Sequence, residues 1–312
     1  MPSLSVVIPV FRGAESIGPL VHELARLEIA GGLEVILVND GSPDHSGAVI
    51  RRLVDECPAT VIAVDLARNF GEHNAVMAGY SVASGDFIIN IDDDFQNPPD
   101  EVRRLYDYAR QHPDQDVIYT SYAVKKHSGF RNLGSRFTNA VAGFLLDKPK
   151  GLYLSSFRCI SAFLRGRIIE YQGPYPYIDG LILQTTQRIG TLEVRHNERT
   201  QGSSSYTLRK LGRLWMAMFI NFSVMPLRVS SLVGLAISLL GMVMAVAAIV
   251  ERFLGDTPQG WTSLMAAILV FSGVQLLMLG LLGEYLGRLY LTATGRPQFV
   301  VREIRRPGSQ PG

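Results

Sequence analysis

Residues 86–100 read DFIINIDDDFQNPPD: a short β-branched run, three carboxylates, then a Pro-Pro pair before a helical pattern. A brief apolar run that ends abruptly in charge reads as a buried strand whose carboxyl end opens into a loop. The same unit recurs on both sides of it. Strand-like runs at Leu4–Pro9 (LSVVIP), Glu34–Val38 and Thr60–Asp65 precede Asp86–Ile91, and Asp116–Ser121 follows. Helical stretches near 16–28, 46–56, 72–83 and 100–111 lie between them. This alternation predicts an α/β fold, a Rossmann-like parallel sheet with helices on both faces.

Ligands of such sheets bind beyond the carboxyl ends of the strands. Polar residues gather at those ends here. The first run leads into Pro9-Val10-Phe11, the second into Asn39-Asp40-Gly41-Ser42, the third into Arg68-Asn69-Phe70-Gly71 and the fourth into Asp92-Asp93-Asp94-Phe95-Gln96. One such end would be a turn or a helix cap, the reading preferred for Asp44 and Asp100. Four together predict a site. Successive strand side chains alternate faces, so Asp92 and Asp94 share a face and Asp93 points away. Adjacent carboxylates repel unless a cation or hydrogen-bond donors compensate. Oxygen ligands of this kind suit Mg²⁺ or Mn²⁺ bridging to a phosphate-bearing substrate. The chain has no P-loop or GxGxxG, so ATPase and dinucleotide readings lack their phosphate cradle. Gly71, Ala75, Gly79 and Ala83 recur every four residues, a narrow helix face read chiefly as close packing.

Charge divides the chain. Its 312 residues are 47% hydrophobic, and 30 basic against 28 acidic side chains give a net +2. Residues 1–208 hold 20 basic and 24 acidic groups, whereas 209–312 hold 10 and 4. Between 229 and 283 only Glu251, Arg252 and Asp256 are charged. A wholly soluble protein or a small stapled fold is therefore not expected, and nothing suggests a nucleic-acid partner. The uncharged runs 229–250 and 257–283 exceed the roughly 20 residues that span a bilayer. They predict two transmembrane helices, about 229–250 and 261–283, joined by a short turn. Arginines and Lys210 flank the pair on the outer sides, which predicts both termini and the large domain on the cytoplasmic face of the inner membrane. No signal peptide is expected before the first strand. The expected organisation is a catalytic domain over 1–206, interfacial helices over 207–228 with Trp215 and Phe219 at headgroup depth, the hairpin over 229–287, and a cytoplasmic tail over 288–312. Cys57 and Cys159 read as reduced thiols, and no His or Cys spacing suggests a zinc site.

The series PVF (9–11), NDGS (39–42), RNFGEHNAVMAG (68–79) and DDDFQNPP (92–99), with the paired spans ending LLGEYLGRLY (281–290), resembles the polyprenyl-phosphate glycosyltransferases. These are membrane-anchored family 2 enzymes of GT-A fold, and the resemblance runs over roughly residues 4–305. It implies a nucleotide-sugar donor, a polyprenyl phosphate acceptor, a divalent cation and assembly as a homo-oligomer. By that resemblance Asp40 reads the nucleotide base beside Pro9 and Val10, and Asp92 and Asp93 lie on the nucleotide. Asp92 and Asp94 are the ends of a DxD, with Asp94 on the metal. Gln96 lies near the donor sugar. Arg131 and Ser135 meet the lipid phosphate, and a loop containing Arg199, Gly202, Ser204 and Tyr206 closes over the phosphates.

Several positions depart from the family pattern. Phe11-Arg12-Gly13 stands where Tyr-Asn-Glu is usual, leaving Glu15 as the candidate ribose carboxylate. Ser205 stands where Lys is common, with Arg209 or Lys210 a turn away. Tyr122 holds a place often taken by Arg, and YLSSFR (153–158) resembles D-x-G-D-F-R with both acids lost. The implied reaction displaces a nucleoside diphosphate from an anomeric carbon with inversion. A lipid monophosphate, its second pKa near ~6, needs little help from a base. Transfer to a lipid or glycan hydroxyl would need one, and Asp179 is then the candidate; a helix-start carboxylate is its plainer reading. Processive synthesis lacks a QxxRW motif, and an inactive membrane scaffold is the remaining alternative.

Overall fold

The computed structural model describes residues 2–122, 149, 151–173, 176–195, 260–295 and 297–308, with isolated helical positions between 232 and 250. The chain forms two compact units, Met1–Thr207 with Gly295–Gly312, and Leu208–Thr294.

The first unit is built on one sheet. In chain order it contains β1 (Leu4–Val10), α1 (Ile17–Ala25), β2 (Leu33–Asn39), α2 (Ser46–Glu56), β3 (Thr60–Leu66), α3 (Glu72–Val82), β4 (Phe87–Asn90), α4 (Pro99–Gln111) and β5 (Val117–Tyr122). Then come β6 (Arg158–Ser161), α5 (Ala162–Ile168), α6 (Ile178–Thr185), β7 (Ile189–Val194) and β8 (Val301–Arg305). The strands lie in the order β7-β5-β6-β4-β1-β2-β3-β8. β4, β1, β2 and β3 are mutually parallel, and their apolar residues are buried on both faces as parallel strands require. The core between sheet and helices is formed by β1, β2 and β3 with Leu20, Leu24, Ile50, Leu53, Leu105 and Tyr106.

The strand-helix alternation expected from sequence therefore holds through β5, but the sheet is mixed rather than parallel. β6 inserts antiparallel between β4 and β5, and β8 pairs antiparallel with β3. The segment read as a tail over 288–312 thus supplies an edge strand of the large sheet. The small-residue row behaves as packing: a Cβ on Gly79 would lie 2.3 Å from Val7 Cγ1, so α3 rests directly on the sheet. Gly71 lies just before that helix at φ 92°, a conformation that L side chains rarely adopt.

In the second unit the continuous described element is α7 (Trp261–Ala293), 33 residues long. Leu264, Ile268, Phe271, Leu276, Leu279 and Leu282 are exposed along it. Counted over the described residues alone, no helix is long and apolar enough to cross a membrane. The first expected span is described only at isolated positions, and the expected interfacial helices over 207–228 lie outside the described residues.

Candidate active site

The carboxyl ends of β1 to β4 meet through their loops. Asp40 N–H and Ser42 Oγ both donate to the Val10 carbonyl, at 3.0 and 3.3 Å. Gly13 N–H donates to Ser46 Oγ at 3.0 Å, and Asp44 receives Ser46 N–H and Ala14 N–H. The Pro9–Gly13 segment is thereby laid over the NDGS loop. Glu15 is exposed just before α1.

Asp40 is buried, and both its oxygens accept backbone N–H groups, from Phe70 at 2.7 Å and Gly71 at 2.9 Å. Burial raises its pKa, and the two backbone bonds pull the other way. Asp40 thus secures the Ala67–Gly71 loop at the end of β3. Arg68 lies over the Phe70 ring in that loop, 4.5 Å from its centroid.

The three acids are arranged differently from the strand reading. β4 ends at Asn90, and Asp93 and Asp94 lie in a turn whose Phe95 adopts φ 58°. Face alternation therefore does not govern them. Asp92 accepts from Ser156 Oγ at 2.8 Å, and Asp94 accepts Gln96 N–H at 3.2 Å. Asp93 reaches toward Gly13: a Cβ there would lie 2.2 Å from Asp93 Oδ2. The missing side chain at Gly13 thus leaves room for this carboxylate. Gln96 is partly buried beside Asn97, whose Oδ1 accepts the Tyr122 hydroxyl at 3.1 Å. Tyr122 Oη also lies 3.2 Å from Ser155 Oγ. The acidic turn is held at both ends by the residues that depart from the family pattern, Ser156 and Tyr122.

Asp179 lies in the first turn of α6 and is buried. Its Oδ1 accepts from the Tyr119 hydroxyl at 2.9 Å and is ion-paired with Arg158 of β6. Burial alone would lower the Arg158 pKa, but Asp179, Tyr80 and Tyr119 raise it. Tyr80, packed beside them and bonded to Asn90 Oδ1, is pushed up to about 12 by burial. Arg158 Nε and Asn74 Oδ1 are buried without a hydrogen-bond partner among the described residues.

Two residues that the sequence left without a role complete the wall. Glu72 and His73 open α3. The surrounding protein and then Asp92 raise the Glu72 pKa, although the side chain still meets solvent, as at the side of a cleft. Burial lowers the His73 pKa, and its ring packs edge-on against Tyr177 at 5.4 Å. Their position directly after Gly71, at a strand end, was the available signal.

Among the described residues no three His, Cys, Asp or Glu side chains cluster closely enough to cage a metal. The donor set at 92–94 is nevertheless all carboxylate oxygen. That suits a hard cation which takes one or two protein carboxylates and completes its shell from phosphate and water. Arg131, Ser135, Arg199, Gly202, Ser204, Ser205, Tyr206, Arg209 and Lys210 lie outside the described residues.

Residues 5–171 match the Glycosyl transferase family 2 profile, and residues 225–289 match that of the GtrB C-terminal hairpin. Undecaprenyl-phosphate 4-deoxy-4-formamido-L-arabinose transferase of Serratia proteamaculans is 35% identical, over 99% of this chain and 95% of its own. The protein of that name from Sodalis glossinidius is 34% identical, over 96% and 93%. Among solved structures, glucosyl-3-phosphoglycerate synthase of Mycobacterium tuberculosis with Mn²⁺, UDP-glucose and phosphoglyceric acid aligns with a TM-score of 0.53. It is 17% identical, over 70% of this chain and 79% of that one, a likeness of fold.

Proposed function

The chain belongs to glycosyl transferase family 2, and from that membership we propose that it moves a sugar from a nucleoside diphosphate, a uridine diphosphate in the first instance, onto undecaprenyl phosphate or a similar polyprenyl phosphate. The observation that carries this reading is the near full-length similarity to undecaprenyl-phosphate sugar transferases. It is supported by four strand ends converging on Asp40 and the Asp92–Asp94 turn.

In this reading the Pro9–Gly13 and NDGS loops receive the nucleoside, and the acidic turn receives the diphosphate. Asp92 and Asp94 would hold Mg²⁺ or Mn²⁺, which when bound supplies positive charge against the departing diphosphate. Ser156 keeps Asp92 oriented, and Asp94 is fixed by the Gln96 backbone. The acceptor phosphate is already ionised near neutrality, so no side chain need remove a proton from it. Asp179 fits that scheme as a structural acid, because Arg158 and Tyr119 both engage its Oδ1. Attack in line with the leaving group at a single site inverts the anomeric centre.

The reading also places the enzyme at the inner membrane, through the apolar runs 229–250 and 261–283. A helix as long as α7 extends about 50 Å at 1.5 Å per residue, more than the roughly 30 Å hydrocarbon core. The cationic flanks support cytoplasmic termini.

The test is a donor screen with membranes containing the protein, undecaprenyl phosphate and radiolabelled nucleotide sugars. A lipid-linked labelled product is expected. Label transferred only to a hydroxyl acceptor would overturn the proposal.

A further inference from the structure

The strand β8 comes from the far end of the sequence, seven residues separating it from α7, yet it closes the sheet beside the nucleotide loops. Its pairing with β3 is irregular. Leu66 pairs with Val301 and Asp65 pairs with Glu303, so Arg302 is the extra residue of a bulge. A bulge re-aims one side chain away from the regular alternation. Here Arg302 Nη2 reaches the Ala67 carbonyl at 3.4 Å, while Ala67 N–H donates to the Val300 carbonyl at 2.9 Å. Ala67 begins the loop whose other end, Phe70 and Gly71, is held by Asp40. That loop is thus gripped from both sides.

Arg302 also lines an open cavity of about 420 Å³ together with Gly41, Ser42, Asp44, Arg51 and Arg68. This size falls in the range of small-ligand sites. Arg51 is engaged with Asp65 and Arg68 lies over the Phe70 ring, whereas Arg302 adds a guanidinium from a separate element, one of its nitrogens on the Ala67 carbonyl. Strand order fixes which end of a donor they would face. The acidic turn follows β4, and β3 lies three strands away through β1 and β2, about 14 Å at the usual strand spacing. A nucleotide whose diphosphate lies at the acidic turn therefore presents its base toward β3 and β8. Guanidinium groups only donate, so they match a base edge carrying carbonyl oxygens.

Resting on the donor reading above, we propose that Arg302 is a nucleotide-binding residue, supplied by the C-terminal strand, which meets a carbonyl-bearing pyrimidine base. The tail is then a working part of the donor site. A second bond set holds it in place: Gln298 Nε2 donates to the Tyr171 and Gly173 carbonyls at 3.1 and 2.8 Å.

The test is calorimetric titration of UDP, with Mn²⁺ present, into the full-length protein in detergent. Arg302→Ala should raise the UDP dissociation constant about tenfold, the loss of one charged hydrogen bond, with Arg302→Lys between it and the parent. Arg305→Ala removes only the bidentate contact to Asp55 and should leave the constant unchanged. Parent and Arg302→Ala proteins binding UDP alike would overturn the role of Arg302 while leaving the donor reading intact. Equal weakening by Arg302→Ala and Arg305→Ala would also overturn it, because the effect would then belong to strand docking. A parent protein that binds no UDP would overturn the donor reading and this inference together.

Discussion

Replacing Arg158 by Met tests whether the buried Arg158–Asp179 pair is the fixed point of the site wall. The two side chains are 3% and 11% exposed, so each charge has been taken almost wholly out of water. Removing one partner from such a pair costs about 3–5 kcal/mol, because the other charge stays buried and uncompensated. The Tyr119 hydroxyl remains on Asp179 and recovers on the order of 1 kcal/mol, which sets the expected loss near the lower half of that range. Urea denaturation in detergent, followed by the tyrosine absorbance that the large unit dominates, should show the midpoint falling by about 1–2 M. Asp179→Leu should cost a similar amount. The double variant Arg158→Met/Asp179→Leu should recover most of the loss, since two well-packed apolar groups replace two desolvated charges. A single-variant cost below about 1 kcal/mol, or a double variant less stable than either single one, would refute the reasoning.

Gly79→Ala should destabilise by about 1–3 kcal/mol, because its Cβ would overlap Val7 Cγ1, whereas Gly166→Ala in α5, with nothing within 4 Å, should gain up to about 1 kcal/mol in the same urea titrations. Ser156→Ala removes the hydroxyl from Asp92 and should weaken Mn²⁺ binding about tenfold, read by the paramagnetic resonance of free Mn²⁺ with UDP present; unchanged affinity would sink the orienting role. His73 is held below its ordinary value of 6.5, so the unfolded chain binds that proton more readily. Its contribution is intact above pH 6.5 and is lost as pH falls through the lower folded value. His73→Gln should flatten the acid-side loss of stability, and an identical pH profile would count against burial as the cause.

Much of the sheet was legible because β1 to β5 are apolar runs bounded by turn residues, and local pattern suffices for such strands. The clustering of Asp40, Arg68 and Asp92–Asp94 followed, since parallel strands bring their carboxyl ends to one edge of the sheet. β6 escaped because its four residues, RCIS, begin with a charge. Arg158 can be buried only because Asp179, twenty-one residues later, returns beside it. The same limit applies to the acidic turn: alternation puts Asp92 and Asp94 on one face, but the strand ends at Asn90.

Sequence by itself determined the alternating fold, the position of the acids at strand ends and the division into a charged part and an apolar one. Those properties depend on neighbours a few residues apart. Tertiary structure decided which partner each buried polar group finds: Ser156 for Asp92, the Phe70 and Gly71 amides for Asp40, Arg158 for Asp179. It also decided that a strand beginning at Val301 pairs with one ending at Leu66. Pairing over such a separation is selected by the free edge of β3 and by register, neither of which leaves a mark on the local sequence pattern.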